Sequence, residues 1–145
     1  MAEGVYRAEI RYGGDDFFIG TTPSGNSITI DVKGDRKSAP SPLELLLVSV
    51  AACTASDVQS ILEKKRQDVT EYKVVVEATR VDEHPRKFIK FHIHHIVHGR
   101  SVSAAAVERA VELSDTKYCS VGATVRPTAE ITTSYEIIEA APPAT

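Results

Sequence analysis

From Ser41 to Lys65 the chain carries no glycine and, after Pro42, no proline. This stretch constrains the fold more than any other. It opens on Ser41-Pro42-Leu43-Glu44, which combines a hydroxyl N-cap, a proline at the first helical position and a glutamate at the capping-box position. Leu45 to Ala55 is then apolar nearly all round, the pattern of a helix buried on most of its faces. After Asp57 the stretch becomes amphipathic. Val58, Ile61 and Leu62 share the inner side, and Glu63, Lys64, Lys65 and Arg66 face water. Cations in a last turn also complement the helix dipole. The pattern predicts a long central helix over residues 41–66.

The flanking segments read mostly as strands. Val5 to Tyr12 alternates apolar and polar side chains, Gly13-Gly14-Asp15-Asp16 is turn chemistry, and Phe17 to Gly20 resumes the strand. A second turn, Thr22 to Asn26, leads into Ser27 to Val32, so residues 5–32 form an antiparallel meander. Gly34 to Pro40 is a polar linker. Beyond the helix, Tyr72 to Val81 and Lys87 to His98 read as two strands across the polar loop Asp82-Glu83-His84-Pro85-Arg86. Ser101 and Ser103 are alternative caps for a second helix, 102–116, striped by Val107, Ala110, Val111 and Ser114, with Cys119 just beyond it at a further short turn. Residues 128–138 give a last strand, and Ala140 to Thr145 a tail. This order lacks the regular alternation of a doubly wound fold, so the class is α+β, with antiparallel sheets around the helix.

At 145 residues the chain fits one domain, 1–145, large enough to be stable without disulfide staples. Its 17 basic and 20 acidic residues give a net charge of -3, which argues against nucleic acid as a main partner. The longest apolar run, Leu45 to Ala52, is interrupted by Ser49 and falls short of the roughly 20 residues that span a bilayer, so no membrane partner is expected. No basic and apolar leader opens the sequence. Two cysteines without such a leader suggest a reducing compartment, and the cytoplasm is the expected location.

The chemistry-bearing residues are few. Cys53 lies midway along the central helix, either as a small hydrophobe at a helix contact or as a nucleophilic thiol held by a nearby cation. Cys119 sits among polar neighbours near a helix end. Two thiols can form a peroxide-reactive and a resolving partner if the fold brings them together, which their spacing leaves open. His92, His94 and His98 share one strand face while His95 joins Phe91, Ile93 and Val97 on the other. Such a face can ligate a metal or simply be solvated, and its spacing matches no zinc motif. No phosphate-binding, dinucleotide-binding or serine-hydrolase motif is present.

The Ser41-to-Leu47 helix start, SPLELLL, followed by Ala51-Ala52-Cys53, resembles the signature of the OsmC/Ohr family. Asp82 to Phe88 and Lys117-Tyr118-Cys119-Ser120-Val121 look most like its YhfA-like branch. The similarity runs from about Val5 to Ile138. It implies an intertwined α+β homodimer with sites at the subunit interface, and a thiol-dependent peroxidase active on organic hydroperoxides in oxidative-stress defence. Carried over, Cys53 is the peroxidatic thiol and Cys119 resolves its sulfenic acid. A dithiol, such as a lipoylated protein, would reduce the resulting disulfide. No metal or organic cofactor is implied. The peroxidase branches pair an arginine with a glutamate directly after the helix-starting proline. Here that position is Leu43, and Glu44 lies one residue later. Arg36 is the nearest basic candidate, with Arg126 and Arg86 behind it. The departure raises an alternative, a non-catalytic relative that binds a small apolar or electrophilic ligand at the dimer interface.

Overall fold

The computed structural model describes residues 3–143 and resolves into two compact units, one ending at Leu46 and the other beginning at Leu47. The first holds β1 (Glu9–Gly14), β2 (Phe17–Thr21) and β3 (Ser27–Asp31), an antiparallel sheet in the order β1-β2-β3. The Gly13–Asp16 turn needs left-handed backbone, and Gly14, Asp15 and Asp16 all have positive φ. Arg36 organises the end of this unit. Its guanidinium forks onto Asp31, with Nε to Oδ2 at 2.9 Å and Nη2 to Oδ1 at 2.9 Å, and reaches Asp15 Oδ2 at 2.7 Å. The same group lies 3.7 Å over the Phe17 ring. Asp31 also accepts the N–H groups of Lys33 and Ser38. The Arg36 hydrogen bonds hold its carboxyl well below the usual carboxylate range.

Helix α1 runs over Pro42–Lys64. The capping box closes reciprocally: Ser41 N–H donates to Glu44 Oε1 at 2.9 Å, and Glu44 N–H to Ser41 Oγ at 3.2 Å. Burial along α1 is narrower than its composition suggests. Only Val50, Thr54, Val58 and Leu62 are fully covered, one residue per turn, because a single sheet touches one stripe of a helix. Val48 is 61% exposed. Counted as a whole helix rather than as an unbroken apolar run, α1 is also long and apolar enough to cross a bilayer. Its buried stripe, and Glu44, Asp57, Glu63 and Lys64 along it, fit a helix packed in a globular core.

The second unit carries β4 (Asp68–Arg80), β5 (Phe88–Arg100) and β6 (Glu130–Glu139). β4 and β5 pair antiparallel, but β6 pairs parallel to β5. The parallel pairing corrects the expectation of purely antiparallel sheets. The helical segment between β5 and β6 returns the chain to its starting end, as a parallel pair requires. That segment is also more divided than the sequence pattern implies. α2 (Ala104–Leu113) is capped by Ser103, whose side chain accepts from Ala106 N–H. A π-helical turn follows over Ser114–Tyr118, and then α3 (Ser120–Val125). Of the expected tail, 140–143 has no regular structure, and 144–145 lie outside the described residues.

Two apolar clusters fill this unit. One joins Val58 and Leu62 to Val97, Val107, Ala110 and Val111; the other joins Val50 to Phe91, Ile93 and Ala129. β5 alternates strictly, with Phe91, Ile93, His95 and Val97 inward. Mixed strands, helices and two small sheets make this an α+β fold.

Candidate active site

Cys53 stands one turn before Asp57 on α1, and Cys119 caps α3. The fold brings them together: the two sulfurs and a carboxylate oxygen of Asp57 lie within 4.8 Å of one another. Both thiols are free. Cys119 is buried and Cys53 half-buried, so Cys53 is the more accessible of the two. The same three atoms are close enough to share a thiophilic cation.

Local backbone explains the placement of Cys119. The π-helical turn widens the chain at 114–118, and Cys119 N–H bonds back to the Ser114 carbonyl at 2.9 Å. Cys119 then leaves helical geometry, with ψ 102°, and its sulfur accepts from Gly122 N–H at 3.2 Å. A Cβ at position 122 would stand 3.2 Å from that sulfur. Glycine there permits the close approach. Ser120 and Val121 follow as the first residues of α3, a helix end with unsatisfied N–H groups.

Those groups set the charge of Cys53. Burial pushes its thiol up, but the Val121 N–H, the Cys119 thiol and the hydroxyl and N–H of Ser120 together outweigh it. The thiol therefore ionises below its ordinary value. Ser120 Oγ lies 3.8 Å from the sulfur. Cys119 goes the other way. Burial, eased by the Gly122 N–H and reinforced by Cys53 and the charge of Asp57, pushes it up to about 11. When the pair gives up one proton, the surroundings favour its loss from Cys53 rather than Cys119.

The anchoring of Asp57 is internal. Ser114 Oγ donates to Asp57 Oδ2 at 2.9 Å and lies 2.8 Å from Thr54 Oγ1. Having spent its only proton on Asp57, the Ser114 hydroxyl accepts from Thr54. Ser114 is 0% and Thr54 2% exposed.

The other candidates have partners of their own, and Arg126 lines a small cavity with Cys119. Arg36 is committed to Asp31 and Asp15 within the first unit. Glu44 is turned onto Ser41, whose N–H lowers its pKa. Arg126 pairs with Asp115 at 2.7 Å, and Arg86 offers its carbonyl to Arg80. The histidine face is tied to β6: His92 bonds Thr132 and Ser134, and His94 bonds Ser134 and Glu136. His95 is buried against Tyr72 Oη at 2.7 Å, and burial, followed by the neighbouring His94, pushes it down to about 4.

Sequence reasoning missed Asp57, Ser114 and Ser120. Asp57 had a signal, since a spacing of four on a helix puts it on the face of Cys53. Ser114 and Ser120 had none, because their relation to α1 is made by the turn between α2 and α3.

Comparison with known proteins supplies the context. The family profile described as OsmC-like protein matches residues 33–134. Protein YhfA of Escherichia coli (strain K12) is 45% identical over 123 residues, covering 85% of this chain and 91% of that one. A crystal structure of a hypothetical protein from Aquifex aeolicus VF5 superposes with TM-score 0.84 at 33% identity, covering 96% of this chain and 100% of the other. The organic hydroperoxide resistance protein OsmC from Legionella pneumophila shares the fold with TM-score 0.65 at 17% identity, over 94% and 99% of the two chains.

Proposed function

Given that the chain belongs to the OsmC-like protein family, we propose that it is a cysteine-based peroxidase that reduces organic hydroperoxides. One observation carries this reading: two thiols within 4.8 Å whose pKa values are displaced in opposite directions. A peroxidatic thiol must ionise readily and be reachable, which the lowered pKa and partial exposure of Cys53 support. A resolving thiol must be close and in reserve, as Cys119 is.

The Cys53 thiolate attacks the terminal oxygen of the hydroperoxide, the O–O bond breaks to leave a Cys53 sulfenic acid, and the departing alkoxide takes a proton from water to become the alcohol. Cys119 then displaces the sulfenic hydroxyl to form a disulfide, releasing water. A small dithiol or lipoylated protein reduces that disulfide and completes the cycle. N–H and hydroxyl donors of α3 stand in this reading where other branches of the family use a guanidinium.

The test is turnover of cumene or tert-butyl hydroperoxide with a dithiol reductant. Cys53→Ser abolishes turnover, and Cys119→Ser stops it after oxidation of Cys53. Unchanged activity in Cys53→Ser removes the mechanism. The second reading is a non-catalytic relative that takes up a small apolar or electrophilic ligand at Cys53. It is favoured by the neutral character of the groups holding the thiolate, and is selected if Cys53 alkylates readily but no hydroperoxide is consumed.

The working form in this proposal is a homodimer in the cytoplasm. Its support is the apolar side of α1 that the single chain leaves open around Val48. Sedimentation equilibrium is expected to give twice the chain mass, and a monomer at micromolar concentration excludes the dimer.

A further inference from the structure

Asp57 is the third member of the thiol cluster, and neither thiol role uses it. Its carboxylate is not a casual neighbour. It is reached by a hydrogen-bond chain running in one direction, from Thr54 Oγ1 through Ser114 Oγ to Asp57 Oδ2, and two members of that chain are buried. Such a chain fixes the carboxylate's position, and its middle member, Ser114, opens the π-helical turn. Asp57 also borders an open groove of about 300 Å³, lined with Ser60, Ile61, Lys64, Leu113 and Tyr118. Water therefore reaches Asp57 from a groove that neither cysteine lines.

The step that needs it follows from the two thiols. In the resolving reaction the Cys119 sulfur attacks the Cys53 sulfur, yet burial, the largest cause, and the charge of Asp57 still raise the Cys119 thiol once oxidation has removed the charge of Cys53. At neutral pH it therefore attacks from the protonated form, and its proton has to go somewhere. A poor leaving group, hydroxide, must also depart from Cys53. One group that takes a proton from the first sulfur and gives it to the departing oxygen solves both problems.

We propose that Asp57 is this proton relay, accepting the Cys119 thiol proton, directly or across one water, and delivering it to the hydroxyl that leaves Cys53. The inference rests on the peroxidase reading. The S–S bond forms as the S–O bond breaks. The thiol proton and the sulfenic hydroxyl leave together as water, and the carboxylate is regenerated. The Cys119 sulfur is oxidised as the sulfenic sulfur is reduced, so no outside oxidant enters.

The experiment separates the two half-reactions in the full-length protein. Reduced enzyme is mixed with one equivalent of cumene hydroperoxide, quenched at intervals with dimedone, and read by intact mass. With Asp57→Asn, Cys53 oxidation stays within about threefold of wild type. Conversion of sulfenic acid to disulfide slows by about 100-fold or more, the range of general acid–base catalysis, and the dimedone adduct accumulates. The slowed step also recovers with rising pH, about tenfold per unit, as hydroxide replaces the carboxylate, while wild type is flatter. Asp57→Glu restores part of the rate.

Disulfide formation by Asp57→Asn at the wild-type rate overturns the relay, and so does equal slowing of both steps. If that variant does not fold, Ser114→Ala loosens the carboxylate without removing it. It should slow the second step alone, and an unchanged second step is again a refutation. Failure of wild-type Cys53 to oxidise removes the peroxidase reading and the relay with it. Oxidation followed by normal resolution in the variant removes only the relay.

Discussion

The opposite displacement of the two thiols makes a quantitative demand on their chemistry. A thiol at 9.0, the unperturbed value for both cysteines, is about 1% ionised at pH 7. Cys119, at about 11, is ionised to about one part in 10,000, so its thiolate is about 100-fold scarcer than that of the unperturbed thiol. Cys53 is displaced to the other side of that reference. Limited iodoacetamide labelling of the reduced protein at pH 7, read by peptide mass spectrometry, is therefore expected to favour Cys53 by about 100-fold or more. The Cys53 labelling rate should also reach its plateau at lower pH than a free thiol. The cause can be separated from simple exposure. Val121→Pro removes the N–H that most strongly lowers Cys53 at a first-turn position where helices tolerate proline. Val121→Ala trims the side chain and keeps that N–H. The proline variant should shift the Cys53 profile to higher pH while the alanine variant leaves it in place. In Cys53→Ser the Cys119 profile should move down, because its charged neighbour is gone. Comparable labelling of both cysteines, or identical profiles in the two Val121 variants, would refute the argument.

Three further outcomes test the scaffold. His95 is pushed down to about 4 in the fold by burial and by His94, whereas the unfolded chain takes the proton near pH 6.5. Its contribution is full above about pH 6.5 and is lost as pH falls toward 4, by about 3 kcal/mol in all; urea midpoints across that window should flatten in His95→Gln. In Gly99→Ala the new Cβ collides with the Asp68 carbonyl and the Val102 side chain, so thermal unfolding should show a loss of about 1–3 kcal/mol or more. Ser41→Ala opens the reciprocal cap of α1 and should cost about 1 kcal/mol in a denaturant titration.

The elements were legible wherever a local rule decides them. SPLE at 41–44 states the start of α1 through three residue preferences, and the cap forms as those preferences require. The alternation of β5 gives its buried face directly, including the odd histidine at 95. Local patterning gave no warning that β6 would pair parallel to β5, because strand direction depends on where the intervening helices return the chain. Nor did it show how little of α1 one chain covers. Composition records that a face is apolar and not what lies against it.

The candidate site divides along the same line. The sequence by itself determined that a cysteine sits mid-helix, that a second follows a helix end, and that Asp57 shares the first one's face. Each is a matter of residue type and of spacing within one element. Tertiary structure alone decided that the sulfurs meet, that the first turn of α3 supplies the donors for Cys53, and that Ser114 locks Asp57 beside them. A thiol's ionisation depends on burial and on the dipoles and charges within a few ångströms. For Cys53 those belong to residues more than 50 positions away, which follow a π-helical turn that no local pattern marks.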